Sequence, residues 1–142
     1  MLADTLLHAE RQHVLRLLVW AALSILGGTF VGAMITVRRT RSPLLAHFGL
    51  QMVLWGVALA ALAAVDWQGL HLRDLAGATH LDRMLWLNIG FDAGFVGMGA
   101  VLAACARILT RNAAALGAGV AIIVQGLALL LIDLQLAAAI SR

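Results

Sequence analysis

Residues 113–140 read AAALGAGVAIIVQGLALLLIDLQLAAAI, a run of 28 residues whose one charged side chain is Asp133. Three other stretches have the same character: residues 17–37 and 44–65 carry no charge, and residues 84–106 carry only Asp92. An α-helix of about 20 apolar residues is long enough to cross the hydrocarbon core of a bilayer. The chain is therefore predicted to be all-α: an integral membrane, antiparallel up-down bundle of four transmembrane helices.

The composition supports this interpretation and excludes several classes of protein. Of the 142 residues, 63% are hydrophobic and 12% are charged, whereas soluble domains are roughly half apolar and a quarter charged. An ordinary soluble enzyme and a disordered chain are therefore excluded. A single cysteine, Cys105, excludes a disulfide scaffold. The positive residues lie at the ends of the apolar runs and not on one face, so nucleic acid is not an expected partner.

The arginines predict how the bundle is oriented. Five of them, and no acidic residue, lie in the two short turns that follow the first and third spans: Arg38, Arg39, Arg41, Arg107 and Arg111. The opposite side also has five, but they are mixed with Asp and Glu. Because cytoplasmic loops are enriched in Arg and Lys, we expect both termini to be periplasmic. Arg in place of Lys, together with abundant Ala, suggests a bacterium and hence its inner membrane.

The whole chain, residues 1–142, is expected to be one domain, because it contains no linker of Gly and Ser or low-complexity tract. Residues 4–16 are predicted to form a separate interfacial helix before the first span, with leucines along the bilayer surface. Gly28 and Gly32 form one GxxxG pattern and Gly90 and Gly94 another. Such small residues allow helices to approach closely. We expect these four glycines to pack helices within the bundle rather than to join two copies.

Two acidic residues lie within the predicted spans. Asp92 is nine residues beyond Arg83, and Asp133 is nine residues before Arg142. At 1.5 Å per residue both would lie ~13 Å below the same membrane surface, so their carboxyl groups are expected at one level. An ionised carboxylate in hydrocarbon costs several kcal/mol unless it is paired or wet. At least one of the two is therefore expected to be neutral or bridged to a donor.

Three further side chains are predicted to join these acids in a buried polar cluster: Asn88, Gln125 and Arg16. Asn88 precedes Asp92 by one helical turn, and Gln125 lies two turns from Asp133. Arg16, at the mouth of the first span, could extend outward or turn inward to meet them. The favoured interpretation is a hydrogen-bond network that sets helix register. The alternative is a proton path or a pocket for a small polar ligand.

Signatures of catalysis and of cofactor binding are missing from the sequence. It contains no GxSxG elbow, no P-loop and no dinucleotide fingerprint, so we do not expect an enzyme. All five histidines lie outside the spans or at their ends, whereas an intramembrane haem needs imidazole well inside the bundle. No metal site or cofactor is predicted, although His13 and His80 leave a weak case for haem or metal at the membrane surface.

Three segments carry a resemblance: RQHVLRLLVWAA at residues 11–22, LDRMLWLNIGFDAGF at 81–95 and GVAIIVQGLALLLIDL at 119–134. They resemble an uncharacterised family of small bacterial four-span membrane proteins, which is known only as a domain of unknown function. The resemblance covers nearly the whole chain. Its most specific motifs are N-x-x-x-D in the third helix and Q-x7-D in the fourth, and it points to Asn88, Asp92, Gln125 and Asp133.

The second helix fits that family less well. Gln51 and Trp55 stand where the family often has Asn and Trp, and Ala58 stands where it has a later Asn. The resemblance implies a fold and no activity.

Three functions remain as expectations. The first is a non-enzymatic integral membrane accessory or scaffold subunit, surrounded by membrane lipid, that associates laterally with itself or with a larger membrane complex. The alternative is a small carrier or channel-like protein that binds a proton or cation through Asp92 and Asp133. The weakest is a redox protein with haem or metal at the membrane surface.

Overall fold

The computed structural model describes residues 2–141, which form four α-helices and no strand. The helices are α1 (Leu2–Val37), α2 (Pro43–Gln68), α3 (Leu75–Ile108) and α4 (Ala113–Ile140). Each is long and apolar enough to cross a membrane. The predicted fold class, an all-helical bundle with four membrane-spanning helices, is thus confirmed.

Three of the helices begin at polar capping residues that the sequence supplies. The Ser42 hydroxyl accepts a hydrogen bond from the Leu45 amide, next to a proline at the first position of α2. Asp74 accepts from the Gly77 amide at 2.8 Å, and Asn112 accepts from two amides at the start of α4. Side-chain acceptors satisfy amides that have no partner within a helix, so each cap specifies where its helix begins.

Two short turns, residues 38–42 and 109–112, reverse the chain at one end of the bundle, which we call the arginine end. Arg39 and Arg111 each have a φ of 49° there, a left-handed conformation that costs a non-glycine residue about 1 kcal/mol. The other end contains the start of α1, the segment 69–74 and the last turns of α4. We call it the loop end.

The fourth helix is the centre of the bundle. It packs against all three other helices, and α1 and α2 also pack against each other. By contrast, α3 packs chiefly along α4 and meets α2 through an edge-to-face contact between Trp55 and Phe95, whose ring centroids are 5.1 Å apart. The buried residues of α3 recur every seven positions: Leu85, Asp92, Gly99 and Ala106. Most of its surface is therefore uncovered.

The first helix differs from the prediction. Residues 4–16 do not form a separate interfacial helix, because α1 runs without interruption from Leu2 to Val37. Its buried side recurs at intervals of three and four residues through Glu10, Val14, Leu17 and Ala21. This stripe continues across the expected boundary with no Gly or Pro to break it, so both parts pack as one helix.

Only one of the four predicted packing glycines packs against a neighbouring helix. A Cβ atom added to Gly28 would lie 2.5 Å from the Gly49 carbonyl oxygen, so α1 and α2 are in backbone contact there. The prediction is wrong for Gly32, Gly90 and Gly94, where an added Cβ meets no atom within 4 Å. Gly90 and Gly94 lie off the buried stripe of α3 and therefore point away from α4.

Other glycines, which the GxxxG pattern did not select, also make close contacts, among them Gly56 and Gly126 near the middle of the bundle. A Cβ on Gly99 would lie 2.8 Å from the Gly119 carbonyl oxygen, between α3 and α4. A Cβ on Gly117 would overlap the Leu44 carbonyl at the start of α2. The last two contacts, like that of Gly28, lie in the half of the bundle toward the arginine end.

Candidate functional site

Gln125 joins three helices at the middle of the bundle. Its side-chain oxygen accepts a hydrogen bond of 2.7 Å from Trp20 Nε1, and its amide nitrogen donates to Ser24 Oγ at 3.0 Å. The same nitrogen lies 3.3 Å from the Met52 sulfur on α2. Gln125 and Ser24 are almost fully buried. This network sets the register of α1 against α4, because a slip would leave buried polar groups unpaired.

Asp133 meets a histidine that the sequence placed outside the cluster. Its Oδ1 atom lies 3.6 Å from His13 Nε2, and both side chains are largely buried between α4 and α1. The Nδ1 atom of His13 is also buried, and no atom in residues 2–141 hydrogen-bonds to it. Nε2 of this imidazole thus faces the Asp133 carboxyl group, and Nδ1 has no hydrogen-bond partner among the described residues.

An ion pair at the loop end joins α1 to the segment 69–74. The Arg73 guanidinium donates to both oxygens of Glu10, at 2.8 and 2.9 Å, which is a bidentate geometry. These hydrogen bonds raise the pKa of Arg73 further above its ordinary value, so the guanidinium stays charged. The Glu10 side chain is 6% exposed and that of Arg73 is 21% exposed.

The sequence analysis did not predict this ion pair, although the pattern of α1 indicates that Glu10 is buried. Glu10 belongs to the stripe that continues with Val14, Leu17 and Ala21, where a charged residue among apolar ones indicates a buried partner. The partner itself, Arg73, lies 63 positions away in a segment that has no periodicity to place it.

Asp92 is buried without a partner. It is 5% exposed, and its Oδ2 atom makes no hydrogen bond to any part of the chain that the structure describes. Its main chain packs against Gly126, seven residues before Asp133 on α4. The two acids therefore do not lie at one level as predicted, but ~10 Å apart along the helix axes.

The expectation failed because α3 begins at Leu75, so Arg83 does not mark its end. The two carboxyl groups still lie close enough to interact electrostatically. The reason is that side chains tilt toward the N-terminus of their own helix, which in antiparallel helices brings these two toward each other.

Two predicted members are not in the buried cluster. Arg16 is exposed and lies beside Trp20 and Gln135 on the outer surface of the bundle. Asn88 is exposed as well. Arg16 lies off the buried stripe of α1, so its angular position and not its depth along the helix decides its exposure. Arg142, from which the depth of Asp133 was counted, lies outside the described residues.

A cavity of about 330 Å³ lies at the loop end, and we call it the loop-end cavity. All four helices and the segment 69–74 contribute to it. Its polar lining consists of Glu10, His13, Asp66, Arg73 and Asn88. The remaining walls are mainly apolar: Val14, Val65, Leu70, Leu81, Met84, Leu85 and Leu136. The cavity is thus amphipathic, with acids and one imidazole on some walls and aliphatic side chains on the others.

The two histidines considered for haem or metal do not share a site. His13 lines the loop-end cavity, whereas His80 lies in a separate surface depression beside Arg83. Within residues 2–141, no three side chains of His, Cys, Asp or Glu are grouped so that they could hold a metal ion. The geometry therefore gives the redox hypothesis no support.

Comparison with known protein families identifies the family of this chain. The profile of DUF6992, a family of unknown function, matches residues 16–134. No curated protein and no solved structure matches the chain. The matched region contains Gln125, Asp92 and Asp133, and it begins after Glu10 and His13. The chain is therefore a member of DUF6992, a family of unknown function.

Proposed function

We propose that this protein is a non-enzymatic accessory or scaffold subunit that associates laterally, within the membrane, with itself or with a larger complex. One observation carries the proposal: α3 packs chiefly on a single neighbour and presents a row of glycines, Gly90, Gly94 and Gly97, at which an added Cβ would meet no atom within 4 Å. Glycines on a membrane helix allow another helix to approach closely, which is the main source of association in lipid.

The residues around these glycines suit such a contact. Trp86, Phe91 and Val101 are all more than half exposed on α3 and can enclose an incoming helix. No charge lies between Arg83 and Arg107 except Asp92, which faces α4. An apolar face thus extends along most of the helix, and the glycines along its centre leave a shallow groove.

The matched variants Gly94→Leu and Gly27→Leu test this proposal. Both glycines are helical, and an added Cβ meets no atom at either, but they lie on different helices. We expect the protein in mild detergent to migrate above the size of one 15.0 kDa chain and to retain its partner. Gly94→Leu should reduce the particle to one chain, whereas Gly27→Leu should not. A wild-type monomer without co-purifying protein, or equal effects of both variants, would contradict the proposal.

We further propose that the protein lies in a bacterial inner membrane with both termini in the periplasm. The five arginines at the arginine end support this orientation. In a Cys105→Ala background, a membrane-impermeant maleimide should label Ser141→Cys in cells with a permeabilised outer membrane. Thr40→Cys should react only after the inner membrane is opened as well. The reverse labelling pattern would show that both termini lie in the cytoplasm and would contradict this orientation.

A second candidate function is proton or cation binding coupled to transport. The buried Oδ2 atom of Asp92, which has no partner among the described residues, favours it, as does the neighbouring Asp133. Proton flux into liposomes containing the purified protein should then disappear in Asp92→Asn. Flux that persists in this variant, or that equals the flux of empty liposomes, would exclude this candidate and leave lateral association untouched.

A further inference from the structure

We propose that a groove between α1 and α2, together with the arginine-rich turn at its end, is a binding site for one anionic phospholipid. The groove takes an acyl chain, and the arginines of the turn take the phosphate. The site is independent of the contact proposed for α3, because it is built from the other pair of helices. Three observations carry the proposal: an open apolar groove, arginines without partners at its end, and the lack of acidic residues in this part of the sequence.

The groove lies on the outside of the bundle and has a volume of about 540 Å³. Among the described residues, only α1 and α2 line it, with three glycines and apolar side chains such as Ile35 and Leu50. Two of the glycines, Gly28 and Gly49, are in backbone contact, whereas a Cβ added to the third, Gly32, meets no atom within 4 Å. From Gly28 to Ile35 the groove follows α1 for ~10 Å. This elongated apolar space suits a hydrocarbon chain that runs along the helix.

Three arginines lie at the end of this groove: Arg38, Arg39 and Arg41. Ile35, which lines the groove, precedes Arg38 by less than one helical turn. All three arginines are exposed, and none makes an ion pair or a side-chain hydrogen bond within residues 2–141. A guanidinium carries five N–H donors in a fixed geometry that matches phosphate oxygens. A lipid with a chain in the groove therefore places its phosphate at the level of free donors.

The charges of this end favour an anionic headgroup over a zwitterionic one. Residues 17–65 and 93–132 contain five arginines and no acidic residue. The turn 109–112 lies near the turn 38–42, because Gly117 on α4 is in contact with the Leu44 carbonyl at the start of α2. On α3 the nearest acid, Asp92, is fifteen residues from Arg107, or ~22 Å along the helix axis. A net negative headgroup is thus attracted by every charge nearby, whereas the amine of a zwitterionic lipid is repelled.

The same charges argue against a second copy of the chain as the occupant of the groove. All copies in one membrane have the same orientation, so two copies that meet at this face bring their arginine-rich turns to the same level. Like charges at close range repel each other. An acyl chain has no charge of its own, and its phosphate neutralises the arginines. A phospholipid therefore satisfies both the groove and the turn.

Native mass spectrometry of the protein in detergent tests the proposal, with dioleoylphosphatidylglycerol as the probe. Dioleoylphosphatidylcholine has the same acyl chains without net charge, and inorganic phosphate has the charge without acyl chains. We expect one phosphatidylglycerol to bind about tenfold more tightly than phosphatidylcholine, and phosphate not to displace it. The double variant Arg38→Gln/Arg41→Gln should lose this preference. Arg11→Gln/Arg83→Gln is the matched control, because it removes two exposed arginines from the loop end, and it should retain the preference.

A second pair of variants tests the groove itself. Gly32→Leu places a side chain in the groove, whereas Gly27→Leu adds the same side chain to α1 outside it. An added Cβ meets no atom within 4 Å at either glycine. Gly32→Leu should weaken phosphatidylglycerol binding about threefold, and Gly27→Leu should leave it unchanged. Because both variants keep every arginine, this comparison separates a defined site from a general attraction of anionic lipid to basic turns.

Equal binding of the two lipids, displacement by phosphate, or equal effects of the two variants in either pair would overturn the proposal. A protein that co-purifies with the wild type and is released by Gly32→Leu would place a protein helix in the groove, and would also overturn it. The Gly94→Leu variant should bind phosphatidylglycerol like the wild type. Loss of lateral association and loss of the lipid site are therefore separable results.

Discussion

The two ends of this bundle are held together by different means. Toward the arginine end the helices touch through glycine, as between Gly28 and Gly49 or between Gly99 and Gly119. Toward the loop end an apolar cluster that includes Val14 and Ala63 packs α1, α2 and α4 together, and two polar pairs lie beside it: Glu10 with Arg73 of the segment 69–74, and His13 with Asp133. In the first half the backbones come into direct contact at these glycines, whereas a cavity of about 330 Å³ lies at the loop end.

The difference teaches where a membrane bundle can accommodate an opening. Lipid tails are as apolar as leucine, so helices in the membrane need either close backbone contact or polar bridges to associate. Where two backbones touch, no side chain separates the helices. Polar pairs place side chains between the elements that they join, and the cavity lies in that half. Four predictions test this contrast, in order of decreasing effect.

The largest effect is expected from filling a glycine contact at the arginine end. Gly28→Leu should lower the free energy of unfolding by about 3 kcal/mol, because its side chain would displace α2 at Gly49 and Val53. Gly32→Leu is the control on the same helix, since an added Cβ there meets nothing within 4 Å. Unfolding in mixed detergent micelles measures both. Equal losses would mean that this half is not close-packed.

The next effect concerns the network between the two halves. Gln125→Leu leaves the Trp20 indole N–H without its acceptor and should cost about 2 kcal/mol. Gln135→Leu makes the same change on an exposed side of α4 and should be nearly neutral. Thermal unfolding in detergent, with the tryptophan emission wavelength as a second readout, checks this. A neutral Gln125→Leu would remove the basis for a register role.

A smaller effect is expected for the ion pair of the loop end. Glu10→Gln should cost about 1–2 kcal/mol, less than for a fully buried pair, because Arg73 can be rehydrated. Arg11→Gln, one residue along and exposed, is the control. A double-mutant cycle with Arg73→Gln measures the coupling between the two side chains. Additive single effects would show that the pair does not hold the segment 69–74 to α1.

The smallest effect is expected at Asp92. Asp92→Leu should change stability by less than about 0.5 kcal/mol or increase it, since no donor in the described chain depends on its Oδ2 atom. The same thermal unfolding measurement applies, with Gln125→Leu as the destabilised reference. A loss as large as that of Gln125→Leu would mean that Asp92 is a structural member of the network.

The sequence predicted the polar residues better than it predicted their surroundings. Asp92, Gln125 and Asp133 were identified because a polar side chain in a long apolar run is costly unless it has a partner. All three are buried. Asn88 was placed with them because it precedes Asp92 by one helical turn, and Arg16 because it lies at the mouth of the first span, but both are exposed. Depth follows from counting residues, but the direction of a side chain depends on which neighbour its helix faces.

By itself, the sequence determined that the chain has four helices long and apolar enough to cross a membrane, and where their polar residues lie, because hydropathy and length are properties of each segment alone. Only the tertiary structure decided that α4 is central, that Gly28 packs while Gly32 does not, and that Glu10 meets Arg73. Those outcomes depend on the rotation and register of one helix against another. In lipid, nearly every face of these helices is apolar, so no difference in hydropathy marks the face that is buried.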